Sequence, residues 1–186
     1  MLGHRQPLVK GPLFIEGISR TGKFLLANVG SGFRDIEPVQ YFGLLENLPV
    51  FASLGLIDKK IVQELLQSEV DAHCYAMLIG RNLNFRRSDK SAIFNVPNYQ
   101  KYVRRCTEPD DVAALQKFYQ RRAYSFFITH ELLPNIKICF DTFPALKVIS
   151  LQRSPIDLVY SWYKRGLARR LGTDPTLGVP PFQGSA

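Results

Sequence analysis

Cysteine, histidine and tryptophan are scarce in this sequence, with three, three and one copies among 186 residues. Cys74, Cys106 and Cys139 are odd in number and widely spaced, and no Cys-x-x-Cys pair exists. That disfavours zinc-ribbon and thioredoxin-type redox chemistry. Cys74 and Cys139 lie in apolar contexts and read as core thiols, which fits a reducing compartment. No apolar run reaches the roughly 18 residues of a membrane span. The opening MLGHRQPLVKGPLF lacks the apolar core of a signal peptide. A cytoplasmic location is the expectation. Acid is the scarcer charge: 16 Asp and Glu against 24 Lys and Arg give a formal net charge of +8. Such an excess favours an anionic partner: a nucleotide, a sulfated or carboxylated polymer, nucleic acid or an acidic membrane.

The length fits one domain over residues 1–186, with enough chain for a real core. Pro12–Ser19 reads as a buried strand, and Lys23–Val29 as a helix ending near Gly30-Ser31-Gly32. Helices are expected at Val39–Leu48 and Pro49–Leu54. Asp58–Ile79 is the strongest helical pattern. Asp58 is its N-cap, and Ile61, Leu65, Leu66, Val70, Cys74, Met77 and Leu78 form its apolar face. Arg81–Tyr102 is irregular, polar and basic, the kind of long loop that is often functional. Glu108–Arg122 reads as a helix, Tyr124–Thr129 as a short strand, and Leu133–Phe143 as partly helical. Lys147–Gln152 is a further buried strand. Ser154–Arg170 is a helix with Ser154 at the cap and Pro155 at its first position. The tail from Gly172 is rich in Gly and Pro and reads as loop. Alternating strands and helices imply an α/β fold, a mostly parallel central sheet flanked by helices.

Two segments carry candidate chemistry. Gly17–Lys23, GISRTGK, has the spacing G-x-x-x-x-G-K between a strand and a helix, where a phosphate-binding loop belongs. Its glycines allow backbone N–H groups to approach oxyanions, and the helix N-terminus adds a favourable potential. Arg20 and Lys23 supply charge. A magnesium nucleotide enzyme would carry Ser or Thr next, yet Phe24 stands there and cannot ligate a metal. The second segment is KVISLQRSPIDLVYSWYKR, a strand that ends at Arg153 and turns into a helix carrying Ser161. A guanidinium fork and a hydroxyl so placed can share one phosphate. Two anion sites suggest a ligand with phosphates at both ends.

With both segments in this order, the sequence resembles the sulfotransferases that use 3′-phosphoadenosine 5′-phosphosulfate (PAPS). Ser19-Arg20-Thr21-Gly22-Lys23-Phe24-Leu25 resembles the family loop that binds the 5′-phosphosulfate. Arg153-Ser154-Pro155-Ile156-Asp157-Leu158-Val159-Tyr160-Ser161-Trp162-Tyr163 resembles its 3′-phosphate motif, R-[ND]-P-x-D-x-x-x-S-x-[YW]. The resemblance implies a P-loop-like architecture and sulfuryl transfer to a hydroxyl or amine, with 3′,5′-ADP leaving. It assigns Ser19, Arg20, Thr21, Gly22, Lys23, Phe24, Arg153 and Ser161 to cofactor binding, and no metal. Arg20 and Lys23 would stabilise charge on the leaving phosphate. Arg153 and Ser161 would position the donor. Lys23 and Phe24 depart from the hydroxyl residues that usually follow the loop glycine. The chain also ends soon after the second motif, where relatives usually continue.

An acceptor hydroxyl needs a base. His4 is terminal, and His73 lies on the long helix. Thr129-His130 resembles the K-T-H-x-P segment of cytosolic sulfotransferases, with Ile128 in place of the Lys. His130 is therefore the candidate base, with Glu131 and Glu16 as carboxylate alternatives. The acceptor class is a small molecule or carbohydrate, anionic ones included. The basic stretch Arg81–Arg105 is its candidate contact region. Rival readings are a P-loop small-molecule kinase and a degenerate, non-catalytic binder of an anion or nucleotide. Nucleic acid is not expected, because the basic stretch has scattered aromatics and no recognisable module.

Overall fold

A computed structural model describes residues 6–108 and 111–170. The chain divides into two compact units, Met1–Leu151 and Gln152–Ala186. The first is α/β. It holds three parallel strands: β1 (Leu13–Glu16), β2 (Phe126–Ile128) and β3 (Lys147–Ser150), in the order β2-β1-β3. Phe14 pairs in register with Phe127 on one side and with Val148 on the other. Every residue of β1 and β2 is buried. The helices of this unit are α1 (Lys23–Gly30), α2 (Leu44–Ser53), α3 (Lys59–Leu78), α4 (Gln100–Val103), α5 (Asp111–Arg121) and α6 (Lys137–Thr142).

Side chains alternate along a strand, so the two central strands build two cores at once. Phe14 and Phe127 face a large cluster with Leu45 and Leu48 of α2, Leu66, Val70 and Cys74 of α3, Phe118 of α5 and Cys139 of α6. Leu13, Ile15, Phe126 and Ile128 face the opposite way, against Ala27 of α1 and Val39. Hence α1 leaves β1 over one face of the sheet, while α6 leaves β2 over the other. The carboxyl ends of these adjacent strands therefore lie where the topology reverses, the usual ligand position in such sheets.

Several expectations shift. Val39–Leu48 is not a helix throughout. Its first part is extended, and Gln40 bridges to Phe127 beside β2. One helix, α2, then runs through the buried Pro49 where two were expected. On α3, Asp58 caps as expected, its Oδ1 accepting from the N–H of Lys60 at 2.8 Å. Val62, however, takes the core position, while Ile61 and Leu65 are exposed. Arg81–Tyr102 has its own small core of Leu83, Ile93, Val96 and Tyr102 against Met77. It is a packed lobe more than a free loop. Lys147–Gln152 was expected to be buried, but β3 is an exposed edge with only Val148 partly covered. Among the described residues nothing pairs with its outer side.

The second unit contains α7 (Pro155–Lys164) and α8 (Leu167–Arg170). Ser154 occupies the cap position of α7 without a side-chain hydrogen bond. Pro155 is at the start, and Asp157 lies in the first turn. The expected single helix to Arg170 breaks at Gly166, whose φ of 63° ends α7 in the left-handed conformation. His4 and the tail from Gly172 lie outside the described residues.

Candidate functional site

The loop after β1 is built by glycine. Gly17 has φ 153°, and a Cβ there would lie 2.6 Å from the carbonyl oxygen of Leu151. Gly22 has φ 100°, with nothing within 4 Å of where its Cβ would stand. Gly17 is therefore required by close packing, whereas Gly22 is required by its backbone and leaves open space above it. Arg20 also sits at positive φ, 78°. A non-glycine in this region is uncommon and marks a constrained turn. Thr21 closes the turn, its Oγ1 donating to the Ile18 carbonyl at 2.9 Å. α1 then starts at Lys23 with Gly22 as its cap residue and no side-chain cap. A helix N-terminus leaves backbone N–H groups pointing outward.

Lys23 is 3% exposed and turns inward. Its Nζ donates to the carbonyl oxygens of Gly17 and Thr129, tying the loop after β1 to the end of β2. Burial pulls the ammonium down to about 8, against the raising influence of Glu16, Glu46 and Glu131. Among the described residues it has no carboxylate within ion-pair distance. Its hydrogen bonds go to carbonyl oxygens, while the carboxylates act on it from a distance.

The end of β2 carries the other half of the site. Glu16, 1% exposed, accepts from the Thr129 hydroxyl and from the N–H of Leu132 at 3.2 Å. That commits its carboxylate to holding the turn and removes it from the candidates for base. Glu131 is exposed. His130 is partly exposed, its backbone N–H donating to Glu46 Oε1 and its Nδ1 lying 3.2 Å from the same oxygen. Glu46 thus orients the ring and places the proton on Nδ1, leaving Nε2 as the acceptor nitrogen. The ring also meets Tyr41 edge-on, with centroids 5.1 Å apart. Sequence reasoning missed both Glu46 and Tyr41. The available signal was a single charged residue in the mostly apolar segment LLENLPVF.

Arg153 is exposed in the irregular stretch between Ser150, where β3 ends, and α7, and not at the strand end expected for it; Ser161 is half-buried on α7. Three cations of the basic stretch have partners within the fold. Arg105 is bidentate to Glu37, at 2.7 and 3.2 Å. Arg87 lies over the Phe94 ring, and Lys101 over Tyr102. No helix among the described residues is long and apolar enough to cross a membrane. No protein-family model matches this chain, and neither the curated proteins nor the solved structures return a match.

Proposed function

We propose that this protein is a sulfotransferase that takes a sulfuryl group from PAPS and passes it to a hydroxyl or amine acceptor. The observation that carries the reading is the union of two features at the carboxyl ends of adjacent strands. A glycine-built loop opens onto a helix N-terminus, and a carboxylate-oriented histidine sits at the end of the adjacent strand. The open space at Gly22 fits an oxyanion resting on the first turn of α1. Phe24, following Lys23, favours a donor handled without a hydroxyl–magnesium contact. The donor supplies a sulfuryl group on a good leaving phosphate.

The residues then divide the work. The backbone from Ser19 to Phe24 cradles the 5′-phosphosulfate, with Arg20 and the buried Lys23 ammonium favouring the charge that grows on the leaving phosphate. Lys23 is paired with carbonyls instead of a carboxylate, so its field is not cancelled locally. His130 Nε2 takes the acceptor proton as the acceptor oxygen or nitrogen bonds to sulfur and the bond from sulfur to the phosphate oxygen breaks. Glu46 keeps the ring in the required tautomer and stabilises the imidazolium. The sequence resemblance assigns Arg153 and Ser161 to the 3′-phosphate.

Calorimetric titration with 3′,5′-ADP, 5′-AMP and ATP with magnesium tests this. Metal-independent binding that needs the 3′-phosphate supports the reading. Preference for ATP with magnesium replaces it with a kinase. Binding of 3′,5′-ADP without any sulfuryl transfer across a broad acceptor panel makes the protein a non-catalytic binder.

A further inference from the structure

Beside His130 lies a cavity of about 500 Å³, within the range of small-ligand sites. It is walled by the extended segment after α1, by α3 and by the lobe 82–96. Tyr41 belongs to this wall and also makes the edge contact with His130, so the cavity and the candidate base share a side chain. The polar lining is Gln40, His73, Asn82, Asn84, Asp89 and Ser91, and no Lys or Arg lines it. Asp89 is held as a carboxylate below the usual range, chiefly by the backbone N–H of Ser91. Its Oδ1 accepts from Ser91 N at 3.0 Å and Ser91 Oγ at 2.9 Å. Arg86 lies near enough to favour the Asp89 charge, though its Nε donates to Ser88 Oγ at 3.2 Å, and Arg87 lies over Phe94.

Gln40 is the unusual member. It is 7% exposed, and its backbone is fixed against β2, accepting from Ile128 N and donating to Phe126 O, both at 2.9 Å. Yet its side-chain Nε2 and Oε1 are both buried without a hydrogen-bond partner. Leaving both halves of a buried carboxamide unmade is costly, and such groups normally have a reason. His73 adds a second fixed polar edge. Its Nδ1 lies 2.9 Å from the Glu69 carbonyl oxygen, which puts the proton on Nδ1 and leaves Nε2 as an acceptor, while the ring stacks on Phe42 at 3.9 Å.

We propose that this cavity is the acceptor subsite and that its ligand is an uncharged, hydroxyl-rich molecule of saccharide type. Carboxamides present a donor beside an acceptor and so match hydroxyl pairs. Imidazole nitrogen accepts a further hydroxyl, and the Tyr41 ring offers an apolar face for C–H groups. The single charge in the lining is negative, which selects against uronates and sulfated sugars. The inference rests on the sulfotransferase reading for its link to His130, while the binding itself does not require it.

The test is ligand-observed NMR with maltose and with a uronate disaccharide of similar size, on wild type, Gln40→Met and Asn82→Trp. Asn82 is exposed at the cavity, so tryptophan there fills space without entering the core. Maltose should bind in preference to the uronate. Its affinity should fall about tenfold or more in both variants, because Gln40→Met removes hydrogen bonds to the ligand and Asn82→Trp fills the cavity. Gln40→Met should keep or raise the melting temperature, because an apolar group replaces an orphaned amide. Binding of neither sugar, preference for the uronate, or maltose binding unchanged in both variants overturns the proposal. A parallel titration with 3′,5′-ADP separates the two ideas. Failure there with maltose binding intact removes the sulfotransferase reading and leaves the saccharide pocket.

Discussion

Two buried charged groups in the first unit are handled in opposite ways. Glu37, 1% exposed, is met by the full guanidinium fork of Arg105, with Arg121 Nη1 at 3.5 Å as well. Arg105 also donates to the Met77 carbonyl at 3.2 Å and packs over Tyr102. Charge meets charge there, and little field is left to act on anything else. Lys23 is equally buried but binds only carbonyl oxygens. Dipoles hold the ammonium in place without neutralising it, and burial lowers its proton affinity as a result. The first arrangement fastens α3 and the lobe around 105 to the segment after α1. The second keeps a positive charge, with no carboxylate in contact, beneath the loop after β1. A charge met by an opposite charge and one held by backbone carbonyls thus differ in what each is paired with.

The sharpest way to break this contrast is to remove the candidate base. His130→Ala should cut sulfuryl transfer by about 10²–10⁴-fold, with 3′,5′-ADP affinity within about twofold, as binding and single-turnover assays would show. Comparable transfer in the variant would take His130 out of the chemistry and leave the strand ends as a binding site. Next, Arg105→Ala leaves the buried Glu37 with only its longer contact to Arg121 Nη1 at 3.5 Å and should cost about 3 kcal/mol in urea unfolding. Lys23→Met removes its charge together with the opposition to burying it, so its cost should be clearly smaller. Equal costs would erase the distinction.

Arg153→Ala should narrow the preference for 3′,5′-ADP over 5′-AMP by about 10–100-fold, the worth of one or two charge-assisted hydrogen bonds. An unchanged ratio in titration calorimetry would detach the second motif from the 3′-phosphate.

A further expected effect is in pH dependence. The folded-state pKa of Lys23 lies near 8, below the 10.5 of an unperturbed lysine. Between these values the unfolded chain binds more protons at this site than the folded one. Stability from Lys23 therefore rises with pH from about 8 to 10.5 and is flat below 8. Wild type should gain on Lys23→Met across that window in thermal melts. An anion bound above the loop should raise the Lys23 pKa, so ligand binding near pH 8 should take up protons, seen as a buffer-dependent enthalpy.

Local features were legible because they depend on near neighbours. A strand, two glycines and a helix start were readable at Gly17–Lys23, as were the Asp58 cap and Pro155 at the opening of α7. The face of α3 was only half legible. Ile61 and Val62 are adjacent and equally apolar, and only packing against α2 and α6 selects Val62. The exposure of β3 was likewise hidden, since VISL reads as a buried run whatever lies beside it.

By itself, the sequence determined a glycine-built strand–loop–helix corner, a proline-led helix start at Pro155, and a parallel α/β alternation. Each is set by backbone preferences and side-chain period within a few residues. Only the tertiary structure decided that Glu46 grips His130 across 84 positions, that Lys23 points beneath its loop to Thr129, and that Gln40 buries an unpaired amide beside Tyr41. Those pairings join residues far apart in the chain. They follow from how the two faces of the sheet are packed, which no local pattern encodes.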